Sequence, residues 1–460
     1  MPPVLLRQLN FCPDLFDLVE HNPERYPFLL ENSGTTSELG GYDILFAFPG
    51  TRLTALPDGS LLHDGIKLGN KPFLEQLDTI YKKQQLNQTD SACEAGLPFC
   101  GGWFIYLGYE LAAESEPVLS SCLHHPLLPR ATMTEIPAGI VRDRQTGKDF
   151  VFAGGDNAEP MLEAICRDIQ KLANSAEFRQ QKSASASCDI EEEEGESFLA
   201  SVAQIKRYIG QGDVFQVNLS RRWQANCNAE ITAYEAWRRL RAANPAPFAA
   251  WVRIDEATTL LSSSPERLIE HRQGIVRTRP IAGTYPRSED IKQDRELSAE
   301  LLMHPKEQAE HIMLVDLERN DLGRICQPGS IEVDELMVLE SYAHVHHIVS
   351  SVIGKLKNDI SPADIIRAVF PGGTITGCPK VRCMEIIAEL EQEARDAYTG
   401  SVGYLCHNGD MDLNILIRTI TRQNNSYSFR AGAGIVADSN PEKELNETRS
   451  KARGLIKIFE

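Results

Sequence analysis

The sequence predicts a mixed α/β fold, α+β in character. Runs of β-branched and aromatic residues recur as strands, other segments carry apolar side chains at helical spacing, and Gly and Pro punctuate the boundaries between them. In the first third, residues 28–34 (FLLENSG) and 42–50 (YDILFAFPG) are strands divided by a polar turn. Residues 101–111 (GGWFIYLGYEL) are another, whose glycine-rich start allows close backbone packing. Residues 138–142 and 149–153 make a hairpin, and helices cover 72–84 and 160–172. No catalytic constellation is visible in this part.

Residues 176–197 (AEFRQQKSASASCDIEEEEGES) are poor in apolar side chains and carry the acidic run Glu191 to Glu194, so a flexible linker is expected there. A helix over 198–210 follows, then a turn into a strand at 212–222, a helix at 233–243 and strands at 248–254 and 258–263. Residues 344–354 (HVHHIVSSVIG) alternate as a strand, with His344 and His346 on one face and His347 on the other. That geometry, without Cys partners, speaks against zinc. PGGTITGCPKVRCMEIIAEL at 371–390 is a glycine-rich loop running into a helix near Pro379. It offers backbone amides to an anion but lacks the GK[ST] ending of a Walker loop. MDLNILIRTI at 411–420 reads as a strand carrying Arg418, and 427–439 as a strand interrupted at Gly432 to Gly434. A helix runs from Pro441 to the C-terminus.

Composition narrows the function. The 460 residues carry a formal charge of −18, which disfavours nucleic acid and anionic membrane, and no window approaches a membrane span. A soluble, cytoplasmic protein acting on small molecules is expected. The eleven cysteines are scattered and never paired as CxxC, so reduced, mostly buried thiols are expected rather than a disulfide framework.

The stretch from Arg277 to Arg324 organises the rest. It begins as a strand end and tight turn at Pro280 and Gly283, presenting Thr284 at a loop tip, and ends as a helix on which Glu307 and Glu310 share a face. The C-terminal helix repeats the pattern with Glu444 and Glu447, followed one turn on by Lys451. One Glu-x-x-Glu pair is commonplace on a solvated helix. Two such pairs, each beside a glycine-rich or proline-containing turn, make a candidate site for a hard cation.

Together, RPIAGT, EHIMLVDLERNDLGR, PGGTITGCPKVRCMEII and GAGIVADSNPEKELNETRSKAR resemble the chorismate-utilising family. That family comprises anthranilate synthase component I, aminodeoxychorismate synthase component I, isochorismate synthase and salicylate synthase. The resemblance covers nearly the whole chain and is densest from Phe198 onward. It implies a large two-sheet antiparallel β-sandwich flanked by helices, as in anthranilate synthase component I, with an N-terminal region over 1–175, the linker over 176–197 and a chorismate-binding catalytic region over 198–460. It implies Mg2+ as cofactor, held by Glu310 and Glu447 with Glu307 and Glu444 behind them. By the same resemblance Glu266 is the general acid, and Thr374 and His347 line the reacting ring. Gly283, Thr284, Tyr398, Arg418, Lys451 and the backbone of Gly432, Ala433 and Gly434 contact the substrate. Asn32, Ser33, Pro247, Phe248 and Ala249 correspond to a tryptophan pocket found in relatives.

Within the family, PGGTITG, AHVHHIVSS and LVDLERNDLGR look most like aminodeoxychorismate synthase component I, which aminates chorismate on the way to 4-aminobenzoate and folate. Ala282 instead looks like anthranilate synthase, because the aminodeoxychorismate, isochorismate and salicylate enzymes carry Lys there. Lys380 is left open as a stand-in or as a support of its helix. Without an amine at 282, ammonia rather than water is the expected nucleophile. The resemblance also implies a separate glutamine amidotransferase subunit as ammonia donor, in a heterodimer, since no glutaminase region is visible. An anthranilate-forming enzyme is the alternative, and a catalytically dead chorismate-binding homologue a second.

Overall fold

The computed structural model describes residues 4–33, 41–85, 96–174, 188–227, 231–288, 290–341 and 345–460. Among these, two twelve-stranded sheets with antiparallel pairing lie face to face and helices cover their outer sides. Phe28, Phe46 and Leu260 of the first sheet meet Phe104, Tyr106 and Val402 of the second in the core between them. Phe28 and Phe104 stack with ring centroids 4.1 Å apart. Burying aromatic side chains on both inner faces is the main drive for closing the sandwich, at roughly 1.5–3 kcal/mol for each large apolar side chain.

Both sheets mix the N-terminal region with the rest. Phe28–Glu31 pairs with Phe248–Arg253 in the first, and Gly102–Leu107 pairs with Ser401–Cys406 in the second. The predicted hairpin forms as Ala138–Asp143 against Lys148–Ala153, and the predicted helices form as Phe73–Gln85, Ala158–Asn174 and Ala233–Ala243.

Five expectations are corrected. The flexible linker does not extend over 188–197: Cys188–Glu192 is a strand on Gln216–Cys227, and a helix starts at Gly195. Within its acidic run, Glu192 pairs with Arg221 at 2.7 Å and with Arg449 at 2.8 Å. Residues 176–187 lie outside the described residues. Not all thiols are reduced: the same register sets Cys188 opposite Cys227, their Cα atoms 4.0 Å apart, and the two are joined, while Cys100 is also disulfide-bonded. The strand Ile275–Thr278 does end just before Pro280, but Gly283 makes no tight turn: Ile281–Pro286 pairs with Val345–Lys355 and Gly283, at φ +65°, accommodates a bulge between Ala282 and Thr284. Thr284 therefore sits in a strand opposite His347, not at a loop tip. Finally, the strand thought to carry Arg418 stops at Asn414, and the one thought interrupted at Gly432 runs unbroken from Ser426 to Ile435.

Candidate active site

Two helices with similar beginnings define one pole of the site. Pro305–Ile325 and Pro441–Ile456 each start with Pro in the first turn, where its missing N–H costs nothing. The second is also capped by Asn440, whose side chain accepts from the Lys443 amide at 3.1 Å. Glu310 and Glu447 lie in the second turns of these helices. The charges of Glu307 and Glu447 both bear on Glu310, and Lys306 of one helix bears on Glu444 of the other, so the two pairs converge. Burial, with Glu307 and then Glu447 nearby, pushes the Glu310 carboxyl up to about 7. Lys451 bridges out of this pole, reaching Glu447 at 2.8 Å and donating to the Gly432 carbonyl at 3.0 Å.

The floor is the paired strands Gln216–Cys227 and Ser426–Ile435. Glycine is needed on its upper face. A Cβ on Gly434 would stand 2.4 Å from Gln216 Nε2 and 3.3 Å from Glu310 Oε1; one on Gly432 would stand 2.8 Å from the Tyr398 hydroxyl. Gln216 in turn donates to Glu310 at 3.2 Å. Ala433, between the glycines, turns its side chain into the apolar core with Val217, Leu219 and Ile435.

The other pole holds Glu266, His347 and Arg418. Glu266 follows the Thr258–Ser264 strand and is 5 % exposed. Burial pushes its carboxyl up to about 7, against the charges of Lys451 and Arg418. His347 is pushed down to about 3 by burial and by Arg418, so its imidazole is neutral. Nδ1 donates to the Gly283 carbonyl at 3.2 Å, which leaves Nε2 as an acceptor. Arg418 stands where residues 415–418 cross from the second sheet to the first, in a left-handed conformation at φ +50°. For a residue other than glycine that conformation costs on the order of 1 kcal/mol or more, and from this position the Arg418 charge bears on both Glu266 and His347.

Thus Glu310, Glu447, Glu307, Glu444, Lys451, Gly432, Gly434 and Tyr398 gather with Glu266, Thr374, Arg418, His347 and Gly283. Lys451 joins the poles, since its charge reaches Glu310, Glu266 and Tyr398. Ala282 is buried in its strand opposite Ile348 and brings no amine to the site. Lys380 is tied to the carboxylate of Asp321 and the Val369 carbonyl, holding its helix to Pro305–Ile325. His344 lies outside the described residues, and His346 is bound to Asp294 at 3.0 Å and Ser341 at 2.7 Å, away from His347. Sequence reading missed Gln216 and Asn218. Their signal is the alternation in QVNL, polar side chains up and Val217 and Leu219 down into the core.

The sequence pattern of the family described as chorismate binding enzyme matches residues 59–457. The chain belongs to that family. Among chorismate-binding relatives, it is 41% identical over 364 residues to the aminodeoxychorismate synthase component 1 of Klebsiella aerogenes, covering 79% of this chain and 78% of that one. It is 40% identical over 374 residues to an anthranilate synthase component I-like protein of Synechocystis, covering 79% and 74%. The crystal structure of anthranilate synthase component I from Streptococcus pneumoniae superposes with a TM-score of 0.80 at 30% identity, covering 91% and 93%. The chorismate-binding sandwich is therefore the fold of this chain.

The segments expected to form a tryptophan pocket also meet at one place. Glu31 pairs with Ala249, the Ser33 amide and hydroxyl donate to the Ala246 carbonyl at 3.0 and 3.1 Å, and the Asn32 amide donates to Asp43 at 2.9 Å. Pro247 and Phe248 complete this corner of the first sheet.

Gly434→Ala tests the floor. The added methyl displaces Gln216 and crowds Glu310, so the chorismate KM should rise roughly tenfold or more, since small misplacements of a site cost about two orders of magnitude at most, while thermal stability changes little. Steady-state kinetics beside a melting curve measures both.

Proposed function

We propose that this chain is component I of an aminodeoxychorismate synthase, replacing the C4 hydroxyl of chorismate with ammonia. One observation carries the reading: a protonatable, buried Glu266 within reach of two cationic charges, across from a crowded carboxylate pole. Chorismate is a dianion, and Arg418 and Lys451 match its charge. Lys380, engaged by Asp321, offers no replacement for a nucleophilic lysine. The C4 outcome is supported by PGGTITG, AHVHHIVSS and LVDLERNDLGR, and by the likeness to the Klebsiella protein.

Magnesium fits the carboxylate pole. Among the described residues no three His, Cys, Asp or Glu side chains are grouped as a metal site; magnesium calls for only one or two carboxylates, with water and substrate completing the shell. Glu310 and Glu447 would hold it, with Glu307 and Glu444 behind; the Glu310 carboxyl, raised first by burial and then by Glu307 and Glu447, stands among negative charge that a cation would offset. When bound, magnesium supplies positive charge for a substrate carboxylate. The residues of the chain do the rest. Tyr398, Gly283, Thr284 and the backbone of Gly432 to Gly434 bind and orient the dianion; Glu266 gives its proton to the departing C4 hydroxyl; neutral His347 presents Nε2 to the ring. Ammonia is supplied by a glutamine amidotransferase subunit, a reading supported by the component I names of the relatives. The setting is cytoplasmic; among the described residues no helix is long and apolar enough to cross a membrane.

Anthranilate formation is the second reading, favoured by Ala282. Incubation with chorismate, magnesium and an ammonium salt, followed by the separate lyase, decides between them. 4-Aminobenzoate is expected, only after the lyase is added; anthranilate without lyase would replace this reading with the second, and no product with intact chorismate binding would indicate a dead homologue. In the same assay Glu266→Gln should lose roughly a hundredfold or more of turnover, as removal of a general acid does, while chorismate still binds by calorimetry. Near-normal turnover would remove the acid assignment.

A further inference from the structure

The segment that joins helix Lys380–Glu391 to strand Ser401–Cys406 carries Tyr398, and its backbone is held against its own preferences. Gln392, Asp396 and Thr399 have φ of +55°, +52° and +61°, a left-handed conformation that residues with a Cβ avoid. Such a cluster persists only where the surroundings over-determine it. Tyr398 must nonetheless stand accurately, since a Cβ on Gly432 would come within 2.8 Å of its hydroxyl.

Arg395 supplies the restraint. Its side chain is 1 % exposed, yet every guanidinium N–H has an acceptor. Nε donates to Glu391 Oε2 at 2.9 Å and Nη2 to Oε1 at 2.6 Å, a two-pronged grip. Nη2 also donates to the Asn218 carbonyl at 2.8 Å, and Nη1 to the Ile375 carbonyl at 3.2 Å and the Thr399 hydroxyl at 3.4 Å. The Arg395 backbone joins in: its N–H donates to Glu110 at 2.8 Å, and its carbonyl accepts from the Tyr398 amide at 2.9 Å. The guanidinium carbon lies 5.5 Å from the centre of the Tyr398 ring, within cation–π range.

These contacts tie three walls of the site to one side chain. Asn218 belongs to the floor strand Gln216–Cys227, Ile375 directly follows Thr374, and Tyr398 stands beside Gly432. Glu391, the anchor of the fork, is fixed to the same floor: it accepts from the Ser220 amide and hydroxyl, both at 2.8 Å, and Ser220 lies opposite Gly432 in the sheet. An apolar side chain would fill the space and make none of these bonds, and a lysine has no flat fork with which to make them together.

We propose that Arg395 is the positioning residue of Tyr398, setting the phenol beside Gly432 in register with the floor and with the loop that carries Thr374. The proposal rests on the reading of Tyr398 as a chorismate contact, and it holds whether amination falls on C4 or on C2.

Arg395→Lys keeps the charge and loses the fork. With magnesium and an ammonium salt, its chorismate KM should rise roughly tenfold while kcat stays within about threefold, because a contact made to substrate and transition state alike is displaced. Tyr398→Ala should itself raise the KM, and adding Arg395→Lys to it should change the KM by less than about twofold, the non-additivity of residues that act as a unit. An unchanged KM in Arg395→Lys, even with a lowered melting temperature, or losses that add in the double variant would overturn the proposal. Should Arg395→Lys not fold, Glu391→Asp serves: drawing the carboxylate back by one methylene should pull the fork from its place and give the same rise in KM, absent from the Tyr398→Ala background, and an unmoved KM overturns the proposal. If Tyr398→Ala alone leaves the KM unchanged, the reading of Tyr398 as a chorismate contact falls and takes the proposal with it, whereas a raised KM in Tyr398→Ala beside additive losses removes only the role of Arg395.

Discussion

Two helix beginnings that repel each other are held side by side, and the site depends on that enforced crowding. Two unit charges about 5 Å apart at an effective dielectric constant near 20 repel by roughly 3 kcal/mol. Glu310, Glu307 and Glu447 therefore oppose the packing of their own helices. The sheets overcome this. The C-terminal helix is seated on the first sheet through Ala452 and Leu455, and the Pro305–Ile325 helix on the second through Val315, Leu322 and Ile325. Helices fixed to opposite sheets cannot relax apart without opening the sandwich. Burial first, and the neighbouring carboxylates after it, raise the Glu310 carboxyl to about 7, and the same charges attract cations, of which Lys451 and Lys306 are the resident ones.

The second pole is made by the opposite device. There the buried groups are kept neutral, Glu266 by holding its proton and His347 by losing one, and positive charge is brought in by Arg418 at the sheet crossover. Lys451 ties the poles together across the Gly432 carbonyl. A dianion entering between them meets fixed positive charge on one side and, with a cation on the carboxylates, on the other. Preorganisation of this kind places the cost in folding rather than in the reaction. Glycines 432 and 434 keep the floor low enough for a ligand to lie on it.

Helices and most strands were legible in the sequence because each has a buried face of regular period: the helix over 233–243 and the hairpin over 138–153 come out nearly to the residue. The misses are tertiary in origin. Gly283 reads as a turn because glycine after proline usually is one, yet the neighbouring strand captures the segment and absorbs the extra residue as a bulge. The apolar run at 411–420 reads as one strand, but it serves two sheets and must cross between them at 415–418. The linker's Ser/Ala content concealed a strand whose partner lies 39 residues away, at Cys227. In the site, the paired glutamates and the glycine-rich segments were readable from spacing, while the roles of Glu266 and His347 came through family resemblance. Arg395 gave no signal, since an arginine within the charged run EQEARD looks solvated until the segment is known to be buried.

The central claim is that carboxylates from two distant helices act as one cation site. Isothermal titration of magnesium in the presence of chorismate, without ammonia, tests it on wild type, Glu310→Gln, Glu447→Gln and the double variant. Each single change should weaken magnesium binding at least roughly tenfold, and the double variant should be little worse than the poorer single one, the non-additivity expected of groups that share a ligand. Magnesium affinity indifferent to either substitution, or losses that simply add, would contradict the account.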